Sequence, residues 1–153
     1  MLFRSLKRGL QMGIDGTDPE ELRTVLEGEI TAKKGEDKVA AKFFTAMGGY
    51  APTIGIIGTV VGLIHVLENL STPESLGPLI ASAFVATLWG VLSANLFWLP
   101  MGAKITRISD LQAAQMELLV EGITEIQAGT SPRAVRQKLT ALVPPSEVKQ
   151  EAA

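Results

Sequence analysis

Two threonines, Thr59 and Thr87, are the side chains in this sequence best placed to handle an ion. Each sits near the middle of a long uncharged window, residues 47–67 and 79–103. A hydroxyl in such surroundings has two uses. It can bond its own i−4 carbonyl, as buried threonines commonly do. It can also line a polar path and offer lone pairs to a passing proton or cation. Each threonine lies beside a stripe of small residues, so both can face one seam, and the residues alone leave the two readings open. Neither window holds an Asp, Glu, Lys or Arg. A membrane ion path needs an ionisable group or a ring of oxygens, so an acid, if one is used, must come from another chain. His65, at the far end of the first window, reads as interfacial and hydrated.

Pro52 and Pro100 flank the same windows at the ends away from the connecting loop. A proline inside a helix removes one hydrogen bond and bends the axis. Each can simply end or kink its helix, or the two can act as paired hinges at one depth. Gly48, Gly49 and Gly102 would loosen both.

These residues need two membrane helices to hold them. The chain has 153 residues, 46% hydrophobic but only 5% aromatic, with a mean hydropathy of +0.26. Residues 47–67 contain no formal charge yet hold five glycines. A 21-residue helix is roughly 31 Å long, close to the hydrocarbon thickness of a bilayer. Two such windows in a chain this short would overfill a soluble core. The expected fold is therefore an all-α membrane protein. Two transmembrane helices, spanning about 47–67 and 79–99, form a hairpin within residues 46–103, with cytoplasmic helical extensions at both ends.

Lysine and arginine set the orientation. Lys33, Lys34, Lys38 and Lys42 precede the first span, and Lys104 and Arg107 follow the second. The loop 68–78 carries only Glu68 and Glu74. The positive-inside rule places both chain ends in the cytoplasm.

The first span is a weak anchor. Its nine Ile, Val and Leu residues contribute roughly −3 to −5 kcal/mol to insertion, and the glycines and polar groups erode that. It should live among other helices. Gly55, Gly58 and Gly62 share one face, with Gly58 and Gly62 as a GxxxG pair. The second span carries Ala83, Thr87, Gly90 and Ala94 at spacings of four, three and four. Small faces permit close backbone approach. Tyr50, Phe97 and Trp98 fit an interfacial belt, whereas Trp89, mid-span, should pack against a neighbour.

Residues 1–45 read as short cytoplasmic helices. Asp18 is the expected N-cap, Pro19 the first helical residue and Glu21 the capping-box partner. Leu22, Val25, Leu26 and Ile30 form the apolar stripe, and residues 33–38 (KKGEDK) read as a solvated loop. Residues 104–143 read as amphipathic helices, the first continuing the second span with Ile105, Ile108, Leu111, Leu118, Leu119, Ile123 and Ile126. Gly129 is the expected C-cap, and Ser131-Pro132 opens a last helix bearing Val135, Leu139 and Leu142. Residues 144–153 read as a disordered tail.

With no cysteine and one histidine, thiol chemistry and His- or Cys-based metal sites are excluded, and no cofactor is expected. A net charge of −2 offers no field for nucleic acid. No phosphate loop or nucleophile motif is present, so an enzyme is not expected.

Four stretches together carry a family resemblance: DGTDPEELRTVLEGEI, YAPTIGIIGTVVGLIHVLENL, LGPLIASAFVATLWGVLSANLFWLP and EGITEIQAGTSPRAVRQKL. In this order and spacing the chain resembles the flagellar-stator branch of the MotA/TolQ/ExbB channel family, over nearly its whole length. The resemblance implies an ion-channel subunit of the bacterial cytoplasmic (inner) membrane that couples a flow of H⁺ or Na⁺ to motor rotation. It implies a pentamer of such chains around two single-span, MotB-like subunits that supply the membrane aspartate. It further implies a flagellar rotor protein as a cytoplasmic partner, and lipid around the spans. By match of motif, Thr59 and Thr87 are its ion-path threonines, and Pro52 and Pro100 its functional prolines. Family members have four transmembrane helices, of which the last two match here. The expectation is thus a fragment, a misassigned start or a degraded gene, unable to generate torque by itself. An ExbB/TolQ-like energiser of outer-membrane processes and a non-conducting membrane scaffold remain the alternatives. The DGTDPEELR and QAGTSPRAVRQKL stretches argue against the energiser.

Overall fold

The computed structural model describes residues 2–143, and all its regular structure there is helical. In chain order it comprises α1 (Leu2–Ile14), α2 (Pro19–Glu68), α3 (Pro73–Ser93), a π-helical turn (Ala94–Trp98), α4 (Leu99–Gln127) and α5 (Pro132–Leu142). The tail expected to be disordered, residues 144–153, lies outside the described residues.

Three expectations about helix ends need correction. Residues 33–38 are not a loop: α2 runs unbroken through them. Lys, Glu and Asp on an exposed face are compatible with a helix, and a single Gly35 costs only about 1 kcal/mol. Residues 1–45 are therefore one short helix and the start of a 50-residue one. The loop expected over 68–78 shrinks to residues 69–72, because Pro73 takes a first-turn position where its missing N–H costs nothing. Pro78 lies inside α3, at an exposed end where water can serve the carbonyl it leaves unpaired. The start of α2 is as expected at Asp18, whose Oδ2 accepts a hydrogen bond from the Glu20 N–H at 3.0 Å.

Two compact units emerge. The first joins α1, α2 to residue 36, α4 from residue 108, and α5; the second is residues 37–107. The core of the first is a line of Leu22, Leu26 and Ile30 on α2 against Ala113, Met116, Val120 and Ile123 on α4, with Leu6 and Met12 of α1 packed alongside. The stripe expected on α4 agrees with the observed one at Ile123 and departs from it elsewhere. Ile108, Leu111 and Ile126 are exposed, and the buried line is set by Ala113 and Met116. Polar contacts rim this core. Arg23 pairs with Glu121, Arg8 with Glu29, and Gln127 Nε2 donates to the Thr17 carbonyl at 3.1 Å.

The end of α4 is as the glycine pattern suggested. Gly129 has a φ of +74°, and the Thr130 N–H returns to the Glu125 carbonyl at 3.0 Å, a Schellman closure. The turn lets α5 fold back, with Leu139 near enough to α4 that a Cβ built on Gly122 would lie 3.5 Å from it. Lys138 pairs with Glu125. That hydrogen bond from Lys138, aided by one from Thr130, holds the Glu125 carboxyl below the ordinary carboxylate range. The folded unit therefore binds this proton less tightly than the unfolded chain does. The resulting stability is complete above the unfolded carboxyl's titration and fades as pH falls through the lower, folded one. Amide exchange in residues 132–142 should accelerate on acidification through that range, and Lys138→Met should flatten the response. Equal pH dependence in both proteins would remove the pair from the docking of α5.

Candidate functional site

The second unit is an antiparallel hairpin whose outer surface is apolar. Ile54, Ile57, Val61, Phe84, Leu88 and Trp89 are all more than half exposed. Only 11% and 17% of the most apolar windows of its two helices are buried. A soluble core helix would be mostly covered, so this surface suits lipid and neighbouring helices. Trp89 was expected to pack on a neighbour. At 63% exposure it is left largely uncovered by the described residues.

The seam between the helices is made of small residues in very close approach. A Cβ built on Gly55 would lie 2.9 Å from the Ala86 carbonyl oxygen and 3.2 Å from Gly90 Cα. One on Gly90 would lie 2.7 Å from the Ala51 carbonyl oxygen. Gly58 faces Ala86, and Gly62 faces Ala83. Ala83 and Ala94 are buried. The obstacle at Gly55 and Gly90 is backbone, which cannot rotate aside. These glycines are thus a geometric requirement of the interaxial distance.

That closeness brings Thr59 and Thr87 together. Their hydroxyls hydrogen-bond each other across the seam. Thr59 Oγ1 also lies 3.0 Å from the Ala83 carbonyl oxygen and 3.2 Å from that of Gly55. Thr87 Oγ1 lies 3.3 Å from the same Gly55 oxygen. Thr59 thus keeps its own i−4 carbonyl in reach, as a self-bonded threonine would, whereas the partners of Thr87 lie on the facing helix. Each hydroxyl owns one proton, so two protons serve the pair and lone pairs remain over. The arrangement can accept a hydrogen bond or ligate a cation, and it can pass a proton by reversing its donors. It cannot hold a full positive charge unaided in an apolar span. Among the described residues no cluster of three or more His, Cys, Asp or Glu could bind a metal. His65, near the loop, is exposed and lies 3.1 Å from Glu68 Oε2.

The prolines act on the other end of the hairpin. Pro52 lies inside α2. Pro100 follows the π turn, a feature the sequence reading missed. There the Leu99 N–H bonds Ala94 O, five residues back, in place of Asn95 O. A wider turn just before a proline relieves the clash of its ring with the preceding turn. The only local signals were Pro100 itself and Asn95, a polar residue in an apolar run. Contacts of Gly48 with Leu99, and of Gly102 with Thr45, set the register. They place Pro100 level with about residue 47. The two prolines are then about five residues, or about 7 Å, apart in depth, not on one level.

The family model described as the MotA/TolQ/ExbB proton channel family matches residues 1–118. Motility protein A of Bacillus subtilis is 36% identical over 139 residues, covering 91% of this chain and 52% of that protein. The chemotaxis protein PomA of Vibrio alginolyticus is 31% identical over 130 residues, covering 85% of this chain and 51% of its own length. The chain thus spans about half the length of these curated relatives. Among solved structures, the flagellar MotAB stator complex from Bacillus subtilis superimposes with a TM-score of 0.90 at 34% identity, covering 97% of this chain and 59% of the stator chain. Family model, relatives and fold agree, and the chain belongs to the MotA/TolQ/ExbB proton channel family.

Proposed function

We propose that this chain is the ion-path portion of a flagellar stator subunit, coupling H⁺ or Na⁺ flow to motor rotation. The observation that carries this reading is the hydroxyl pair Thr59–Thr87, held at mid-span by close glycine approach in two windows without an Asp, Glu, Lys or Arg. A relay without its own acid fits a partner that brings one. That partner is a single-span, MotB-like subunit bearing a membrane carboxylate, around which copies of this chain assemble. Protonation or cation binding at the partner's acid neutralises it, and the threonine hydroxyls hand the ion along the seam. Pro52 and Pro100 then serve as points where the helices yield as the charge state changes, with a cytoplasmic rotor protein receiving the motion. The orientation is inner-membrane, with both ends of the hairpin cytoplasmic, following the lysine distribution. No bound cofactor is required, since the translocated ion is the only small partner. The named relatives are motility and chemotaxis proteins, which favours the stator over an ExbB/TolQ-like energiser or a non-conducting scaffold.

Thr59→Val and Thr87→Val keep the side-chain shape and remove the hydroxyl. Each should lower ion flux about tenfold, the loss of one net hydrogen bond in the transfer step. Flux is to be read in vesicles holding the protein with a single-span partner that carries a membrane acid. Assembly with the partner should be unchanged. Wild-type flux in both variants would sink the ion-path role.

A further inference from the structure

The two prolines and the π turn leave backbone oxygens without their helical donors, and those of Gly48 and Asn95 lie in the half of the hairpin between the threonine pair and the cytoplasm. In an α-helix the Gly48 carbonyl would accept from residue 52, which is a proline and has no N–H. The Asn95 carbonyl loses both of its possible donors. Its α-helical donor, the Leu99 N–H, is spent on Ala94 O, and its π-helical donor would be Pro100. The Asn95 side chain adds a third oxygen. Its Nδ2 donates to the Val91 carbonyl at 2.8 Å, while Oδ1 accepts nothing among the described residues. Asn95 is exposed.

Depth ties these oxygens together. Helix carbonyls point toward the C-terminus, so in this antiparallel pair those of Gly48 and Asn95 point toward each other's level. With Gly48 against Leu99, the two oxygens come to nearly the same depth. Asn95 lies about 12 Å along the helix from Thr87 and about 13 Å from Lys104. An unpaired carbonyl and a half-paired amide cannot face hydrocarbon, so water or a donor-bearing helix must cover them. Two main-chain carbonyls and the Asn95 Oδ1 outnumber the one amide N–H left free beside them, and such an excess of oxygen suits a cation and its hydration shell.

We propose that the Gly48 and Asn95 carbonyls and Asn95 Oδ1 form a hydrated binding station for a monovalent cation, hydronium or Na⁺, between the threonine pair and the cytoplasm. The proposal rests on the ion-path reading above and names where water first reaches the ion on the inner side. Pro52 and Pro100 then have a chemical role beside any mechanical one: they expose main-chain oxygen at a chosen depth.

The chain has no cysteine, so single-cysteine labelling is free of background. Full-chain Asn95→Cys, in permeabilised membranes with a single-span partner, is to be treated with a charged, water-borne thiol reagent. Such reagents need a thiolate in contact with water. Asn95→Cys should react within about tenfold of the cytoplasmic control Ala114→Cys, and about a hundredfold faster than Val91→Cys or Leu96→Cys. Asn95→Asp, read by membrane accumulation, guards against a folding defect in the cysteine variant. It should accumulate as the unaltered chain does, whereas Leu96→Asp should fall at least roughly tenfold. Slow labelling of Asn95→Cys together with poor accumulation of Asn95→Asp would overturn the station and assign the oxygens to a packed helix. Loss of flux in the threonine variants is read separately, so failure of the station leaves the ion-path reading standing.

Discussion

Gly90→Val is expected to force the membrane hairpin apart. The new Cβ would start 2.7 Å from the Ala51 carbonyl oxygen, 3.1 Å from Gly55 Cα and 3.3 Å from Gly55 N. All three are backbone atoms, so no rotamer relieves the contact and the helices must separate. Overpacking of this kind costs about 1–3 kcal/mol and sometimes more. The consequence extends beyond stability, because the Thr59–Thr87 hydrogen bond spans the same seam less than one turn away. Thermal unfolding in detergent should shift down by at least roughly 5 °C, and ion flux should fall with it. Gly49→Ala is the matched control. Its Cβ meets nothing within 4 Å, so it should gain a little helix propensity and leave the seam alone. Gly48→Ala is intermediate, since it meets the Leu99 side chain, which can turn away. Equal behaviour of Gly90→Val and Gly49→Ala would mean that close backbone approach does not hold the hairpin.

Leu22→Ala should be the most damaging change outside the membrane. Leu22 is 0% exposed and Leu26 2%, and both lie in the line that joins α2 to α4. Truncation removes the transfer energy of the lost groups and leaves a cavity that helices can close only partly, about 2–5 kcal/mol in all. A unit stabilised by one such line has little to spare. Backbone amides of residues 19–36 and 108–127 should therefore lose most of their exchange protection. Ile14→Ala, at a residue 79% exposed, should change protection by less than about 0.5 kcal/mol. Comparable effects at the two positions would show that the observed core line is not what holds this unit.

Much of this was legible in the residues. Two uncharged windows joined by a short polar stretch fix a hairpin, because hydrocarbon tolerates few exceptions. Glycines and alanines at spacings of three and four fix the seam, since only small residues permit that approach. The threonines could be placed on the seam, but not joined across it, because a hydrogen bond between helices depends on their relative register. Other features failed for physical reasons that can be named. Residues 33–38 look like a loop by composition, yet nothing in them forbids a helix. Pro73 looks like a breaker and is instead a starter. On α4 the largest apolar residues attracted the expected stripe. The observed contact selects Ala113 and Met116, whose fit to α2 outweighs the hydrophobicity of Leu111. The π turn left no periodic trace at all, since one extra residue in five cannot be seen in a hydropathy pattern.

The short connection between the spans also sets a timetable for biosynthesis. The chain emerges from the ribosome first span first, and that span is the weakly hydrophobic one. Its glycines at 55, 58 and 62 are fitted to Ala83, Ala86 and Gly90, which do not yet exist when residue 67 is made. Some 32 residues separate the ends of the two expected spans, roughly 2–6 s of synthesis. Through that interval the notched face of this helix lacks the α3 residues it is fitted to. A four-residue link, 69–72, makes the delay almost as short as two successive spans permit. The hairpin is thus expected to enter the bilayer as a pair, with the second helix acting as the chaperone of the first.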